Sequence, residues 1–324
     1  MSTTAETRPE SDAPPEHPTP PPAPSGSGNP LRRSLSRWVL RVAVLAIVTL
    51  WIVPTIGLLV SSFRTRAFIE SEGWWTAFIR PFAEGQWTLQ NYEVALTTQG
   101  FGNAFLNSFA VTIPATVIPI TVAAFAAYAF TWMRFKGRNL IFMGVVALIV
   151  IPLHMALIPV LRLFTQGAEL WGITLFPQTE LVGTFPAIWL AHAGFGLPLA
   201  VYLLRNYIGS LPASVIESAK VDGASDFQVF TRLVVPLSVP ALAAFATLQF
   251  LWVWNDFLVA LVILGGTPDV RVLTVALASL QGQFGQMRHV LPAAAFISIM
   301  LPMVVFFSLQ RYFVRGLTAG AVKG

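Results

Sequence analysis

The sequence predicts an all-α polytopic membrane protein with six transmembrane helices, and three observations carry the prediction. Hydrophobic residues fill 55% of the 324 positions and charged residues only 11%, against about 25% charged in a soluble globule. Long apolar runs recur from Trp38 onward, each near the ~20 residues that a helix rising about 1.5 Å per residue needs to cross a ~30 Å hydrocarbon layer. The runs are apolar on every side, as in VVALIVIPLHMALIPVL and ALAAFATLQFLWVWNDFLVALVIL, and lack the ~10-residue alternation of a membrane β-barrel. So apolar a chain cannot be disordered throughout. The absence of cysteine excludes thiolate chemistry, iron–sulfur clusters, zinc sites built on sulfur and a disulfide framework.

Taken in order, residues 1–30 hold 9 of the 24 prolines and four acids with almost nothing apolar, so they are expected to form a disordered tail without a secretory signal. The remainder, 31–324, carries spans at about Trp38–Ser61, Phe105–Trp132, Leu140–Phe164, Gly183–Tyr207, Leu237–Leu264 and Val290–Tyr312. Basic residues sort by side: the tail and the segments with Arg134, Arg205, Lys220, Arg232 and Arg311 hold 14, and the opposite segments, with the longest loop, hold 6. By the positive-inside rule both termini face the cytoplasm. The formal charge of +5 therefore reports topology and not nucleic-acid binding. On the outer side lie the roughly forty-residue loop Ser62–Ala104, a middle loop with Glu169 and Glu180, and the loop GGTPDVR at Gly265–Arg271.

The cytoplasmic stretch between the fourth and fifth spans, residues 208–236, is too long for a turn. Ser210 is placed as an N-cap ahead of Pro212, and Leu211, Val215 and Ala219 share a helix face. Asp222-Gly223 breaks that helix. Ser225 with Gln228 forms a capping box for a second one, in which Phe227, Phe230 and Leu233 or Val234 continue an apolar face until Pro236. An apolar hairpin in the cytosol must lie on the bilayer or dock into a protein. Lys220 and Arg232 are offset by Glu217, Asp222 and Asp226, which favours docking.

These residues resemble a known family. Glu217-Ser218-Ala219, three residues, Gly223, nine residues and Leu233-Val234-Val235-Pro236 is similar to the EAA loop of permease subunits in binding-protein-dependent ABC importers, whose usual form is Glu-Ala-Ala, three residues, Gly, nine residues, Ile, any residue, Leu, Pro. The chain departs at Ser218, Leu233 and Val235, all changes of small scale. The surrounding DGAS, the WNDFL at Trp254–Leu258 and the ending QRYFVRGLTAGAVKG resemble the carbohydrate-importer branch, α-glucoside or maltose type, in the subunit without a large extracellular domain.

The resemblance implies an ABC importer permease (MetI-like) fold and a sugar carried into the cytoplasm across the cell inner membrane. It implies three partners besides membrane lipid: a second, non-identical permease, an ATPase dimer and an extracellular solute-binding protein. Glu217, Ser218, Ala219, Asp222, Gly223, Ala224 and Pro236 would then couple the chain to the ATPase, Glu217 through a charge-assisted contact and Gly223 through positive φ and close backbone approach. The alternative is a hairpin that caps the bundle and binds nothing. By the same resemblance the small, basic tail reaches toward the ATPase, and the GGTPD loop contacts the binding protein or is a simple turn.

No GxxxxGK[ST] phosphate loop occurs, so ATP and magnesium are expected on the ATPase and no cofactor on this chain. The four histidines, His17, His154, His192 and His289, show no metal-ligand spacing, and no acid pair suggests catalysis. His154 and His192 line a path or are neutral histidines bonded to backbone carbonyls. Asp256, the only acid within a predicted span, must face the bundle or its cavity. Trp252, Asn255 and Asp256 fall at i, i+3 and i+4, which suits either a sugar or a polar packing cluster. The prolines inside the spans permit the kinks that alternating access uses. An ion-coupled secondary transporter is the alternative from another class, disfavoured by one membrane acid and no repeated halves; a lipid-modifying enzyme lacks a visible metal or acid cluster. Within the importer family a non-sugar solute such as a glycerol phosphate remains open, because the shared motifs face the ATPase.

Overall fold

The computed structural model describes residues 30–97, 100–280 and 287–319, with side chains from 38 to 311. The Pro-rich tail up to residue 29 and the final residues 320–324 lie outside the described residues. Two compact units divide at Pro54 and Thr55. The first contributes the leading part of α1 (Pro30–Ser62), where nearly every side chain from Trp38 to Val53 is exposed and Arg41 lies 5.9 Å from the Trp38 ring centre.

The second unit is built on three long helices: α5 (Phe101–Trp132), α8 (Phe185–Ile208) and α15 (Leu291–Ala319). Among the described residues four helices, Trp38–Ser62 of α1 and these three, are long and apolar enough to cross a membrane, and two sharply bent pairs make six if each pair is one span. The fold is thus the helical one expected. Helices α5 and α8 make the most extensive contact. Ala115, Ala123 and Ala127 of α5 and Ala187, Ala191 and Ala200 of α8 are all buried in shared clusters. Small side chains let backbones approach where lipid offers no hydrophobic drive to associate. Trp189 Nε1 of α8 donates to Ala110 O of α5 at 2.8 Å, so the close approach is also keyed by a hydrogen bond.

The bent pairs correct two expected spans. The third was expected to be one helix; it is α6 (Arg138–Ala147), a 3₁₀ turn at Leu148–Val150 and α7 (Leu153–Gln166), with a bend of 107°. Pro152 is the N-cap of α7, where its missing N–H removes the bond that a continuous helix would need. The fifth span, expected over Leu237–Leu264, is broken twice. A first bend of 71° separates Asp226–Leu237 from α12 (Val239–Trp254) at Ser238, between Pro236 and Pro240. A second break at Asn255–Phe257 ends α12 before α13 (Leu258–Ile263).

The segments expected as loops carry structure. Residues 168–176 form an antiparallel hairpin of β1 (Ala168–Leu170) and β2 (Ile173–Phe176). Its turn residues, Trp171 at φ 51° and Gly172 at φ 79°, are both left-handed, as a type I′ turn requires. Asn107 of α5 donates its side-chain amide to Asp269 O and Arg271 O, pinning the GGTPD loop to the bundle. Leu273 of α14 (Leu273–Leu280) donates its N–H to Ser108 Oγ at 2.8 Å.

The long loop after α1 folds around Arg64, which is 1% exposed. Helices α2 (Arg66–Ser71), α3 (Thr76–Ile79) and α4 (Gln90–Thr97) surround it. The guanidinium donates to Gly73 O at 2.8 Å and Thr76 Oγ1 at 3.0 Å and lies 3.5 Å from Glu72 Oε2. Asn91 of α4 closes the knot by donating to Ser62 O and Arg64 O. The hydrogen bond from Thr76, followed by the one from Arg80, holds the Glu72 carboxyl below the usual glutamate range.

Two predictions follow from this knot. Arg64→Met should cost the loop about 3 kcal/mol, the scale of several lost charge-assisted bonds, seen as faster amide exchange over residues 64–97. Since the folded pKa of Glu72 is depressed, its contribution is complete above about pH 4.3 and is lost as pH falls below that. Amide exchange in the same segment should rise through that acid window, and Glu72→Gln should flatten the rise.

Candidate coupling hairpin and transport path

The segment that follows α8 is a preformed hairpin. Helix α9 (Ala213–Val221) starts at Pro212, which holds the N-cap position at φ −60° and ψ 121°. Ser210 is therefore not the cap; its Oγ donates to Tyr207 O at 2.7 Å and closes the end of α8. The helix ends in a Schellman arrangement: Ala224 N bonds Ala219 O at 3.0 Å and Gly223 N bonds Lys220 O at 3.1 Å. Gly223 sits at φ +85° with nothing within 4 Å of a Cβ built there. Among the described residues its backbone conformation alone demands glycine.

The expected capping box is present. Gln228 N donates to Ser225 Oγ at 3.3 Å and Ser225 N to Gln228 Oε1 at 2.9 Å, opening α10 (Asp226–Val229). A π-helical turn over Phe230–Val234 and α11 (Val235–Leu237), which contains Pro236, lead into the bend at Ser238. Lys220 and Asp226 pair across the bend at 3.0 Å, and Tyr128 Oη of α5 lies 3.1 Å from the same carboxylate oxygen.

The apolar face of the hairpin is spent inside the protein. Ile216, Val229, Phe230 and Val234 are buried in one cluster with Tyr128, Leu204, Ile208 and Phe245, and Phe230 stacks on Phe125 with ring centres 4.5 Å apart. Most of the expected face is the buried one, since Phe230 and Val234 are buried and Leu211, Ala219 and Leu233 pack on the same cluster; the corrections are Val215, 40% exposed, and Phe227, 66% exposed, whose places are taken by Ile216 and Val229. Of the residues expected to couple, Glu217, Ser218, Asp222, Gly223 and Pro236 are exposed, and Ala219 and Ala224 are half-buried. Val221, 86% exposed beside Asp222, was not singled out from sequence. Its exposure depends on which face the bundle claims, which spacing alone does not set.

The expected path residues do not share a helix face. Helix α12 ends at Trp254, Asn255 occupies the C-cap and returns its side-chain amide to Leu251 O at 2.7 Å, and Asp256 lies past the helix. The Asp256 carboxylate turns to the next helix and accepts from Ala260 N at 2.9 Å and Val259 N at 3.4 Å. Trp252 is 41% exposed and lines a cavity of about 650 Å³ between the bent α6–α7 pair and α8. Apolar side chains surround it, among them Ile149, Pro152, Val160, Phe164 and Phe195.

His192 of α8 joins this region. It is 1% exposed, its Nε2 lies 3.7 Å from Asp256 Oδ2, and among the described residues neither ring nitrogen finds a hydrogen-bond partner. The backbone-carbonyl bond considered from sequence is therefore not made at His192, and His154 stands exposed in the first turn of α7. Sequence reasoning missed Gln249. Its buried side-chain amide donates to Ala115 O of α5 at 3.2 Å and His192 O of α8 at 3.4 Å. Gly196 makes the room, since a Cβ there would fall 2.6 Å from Gln249 Oε1. A lone amide in an apolar run was the available signal.

Residues 120–319, which contain the whole hairpin, match the family described as binding-protein-dependent transport system inner membrane component. The chain belongs to this family. As a binding-protein-dependent permease it has relatives along nearly its full length. It is 54% identical over 284 residues to the osmoprotective compounds uptake permease protein GgtD of Synechocystis sp., covering 88% of this chain and 91% of that one. It is 41% identical to the alpha-glucoside transport system permease protein AglG of Rhizobium meliloti, over 91% of this chain and 100% of that one. In fold it is similar to a chain of a bacterial ABC transporter that imports the polysaccharide alginate, with a TM-score of 0.68, 21% identity and coverage of 87% and 98%. The permease is thus a membrane component of an ABC importer, and the secondary-transporter reading gives way.

Asp256→Ala should leave the Val259 and Ala260 N–H groups unpaired, lowering stability in detergent by about 2–3 kcal/mol. Asp256→Asn, which keeps an acceptor, should lose less than half of that in the same thermal melts. Ser225→Ala should cost about 1 kcal/mol.

Proposed function

We propose that this permease is one of two non-identical membrane subunits of an ATP-driven importer that carries a sugar, of the α-glucoside class, into the cytoplasm. The observation that carries the coupling role is the hairpin itself, a capped and clasped unit whose exposed side gathers Glu217, Val221, Asp222, Gly223 and Phe227. Apolar side chains at Val221 and Phe227 beside the Glu217 carboxylate suit a partner cleft with an apolar floor and a basic rim. That partner is an ATPase dimer, which holds ATP and magnesium. The chain carries the movement and its partner the hydrolysis.

The cargo reading rests on the relatives: one carries alpha-glucosides in its name and another osmoprotective compounds. The cavity beside Trp252 supplies an aromatic plate and an apolar wall, which suit the C–H face of a sugar ring. Hydroxyl partners are then left to the second permease. A solute-binding protein delivers the sugar on the outer side, and the inward excess of basic residues sets both termini in the cytoplasm of a multi-pass inner-membrane protein.

Gentle purification of the tagged chain from its native membranes tests this reading. An ATPase and a second permease should accompany the wild type, and Gly223→Pro should lose the ATPase, because proline cannot adopt φ +85° and has no N–H for Lys220 O. Glu217→Ala should weaken the association and lower uptake of a radiolabelled α-glucoside by about tenfold, the scale of one lost charge-assisted contact. Retention of the ATPase by Gly223→Pro, or a wild-type chain that runs alone, overturns the coupling role.

A further inference from the structure

The loop knotted around Arg64 has two faces. Glu72 and Thr76 turn to the buried guanidinium, while Trp75 is 58%, Phe78 64%, Ile79 73% and Phe82 97% exposed on the other side. Nothing in the coupling or transport reading uses this concentration of large apolar side chains.

Its depth is set by Trp74. The indole packs on Gly57 of α1 so closely that a Cβ there would fall 2.9 Å from Trp74 Nε1. Gly57 stands five residues before the end of α1 at Ser62, about 7.5 Å inside that end at the α-helical rise. Trp75 and Phe78 meet the Trp74 ring edge-on, at 6.1 and 6.2 Å between centres. The loop after α1 therefore folds back alongside the last turns of an apolar helix that ends at Ser62, where a bilayer around α1 would pass from acyl chains to headgroups. Tryptophan and phenylalanine favour that layer, where an apolar body can be immersed while polar atoms stay wet.

Charge argues for the same occupant. In residues 63–84 three arginines face three glutamates, and Arg66–Glu70 at 2.7 Å and Arg80–Glu72 at 2.6 Å are paired. Such a segment has little to offer a charged partner surface or anionic lipid, and much to offer a neutral interface.

We infer that residues 74–82 form an interfacial anchor, with Trp75, Phe78, Ile79 and Phe82 immersed at the headgroup–acyl boundary of the leaflet around the end of α1. The anchor needs only that α1 crosses the membrane and stands whichever way the chain is inserted. It fixes the Arg64 knot, and through it the Ser62 end of α1, to the bilayer surface.

The absence of cysteine makes the test clean. Phe78→Cys, Phe82→Cys and Glu84→Cys, each in the full chain with its copurifying subunits, are spin-labelled and placed in phosphatidylcholine vesicles with and without phosphatidylglycerol. Labels at 78 and 82 should meet dissolved oxygen about threefold or more in excess of a water-soluble nickel chelate, as at an immersed position, with the label at 84 showing the reverse. The depth should be the same in both lipids. Nickel accessibility at 82 equal to that at 84 places the segment in water and overturns the inference. Shielding from both reagents assigns the face to a protein partner, and immersion only with phosphatidylglycerol to electrostatic binding; either result overturns it too.

Discussion

A backbone that breaks within a membrane must find hydrogen bonds inside the protein, because lipid supplies none. Much of this permease is organised by how it meets that demand after Trp254. The Asp256 carboxylate takes the N–H groups of Val259 and Ala260, and Thr274 Oγ1 donates to the Asp256 carbonyl, so side chain and main chain of one residue join α12, α13 and α14. Trp254 Nε1 bonds Ser298 O of α15. The break is thus held from several sides, and it sets Asp256 against His192 just beyond Trp252, which lines the cavity. An acid in an apolar run is costly, and here its position repairs the backbone.

The hairpin obeys the complementary logic of water. Its termini have solvent within reach, yet the Schellman end of α9 and the capping box of α10 satisfy them internally. With Ile216, Val229, Phe230 and Val234 buried against α5 and α8, it is a fixed projection of the bundle. The sequence argument that an apolar face in the cytosol demands a partner overlooked that the bundle itself covers most of that face. What remains for a partner is the smaller exposed set around Val221 and Phe227, and the docking role rests on that set and on the family.

The helical architecture was legible because hydropathy over twenty residues survives any local detail, and the capping box and the glycine turn were legible because both are determined by neighbours in sequence. What could not be read depends on contacts between distant segments. Whether Val215 or Ile216 faces inward is decided by Phe230 and Leu204. Proline marks only where a bend is allowed, and Pro114, Pro119 and Pro198 lie within continuous helices while Pro152 stands at a bend of 107°. The β1–β2 turn places Trp171 where asparagine or glycine is the usual signal, so nothing announced it. Asp256 was recognised as an acid that must face inward; that it lies past the end of one helix and takes the first N–H groups of the next required the fold.

Gln249 has a mechanical consequence. Its amide ties α12 to α5 and α8 at one height, with Phe245 in the cluster one turn below and Val253 in the cluster one turn above. The tie lies ten residues from Val239 and five from Trp254, about 15 Å and 7.5 Å along the axis. Helix α12 is therefore a beam on an off-centre fulcrum, whose long arm begins at the hairpin and whose short arm ends at the Asp256 break. A push at the hairpin end, were α12 to turn about that point, would reach the Asp256 end reversed in direction and at about half its travel.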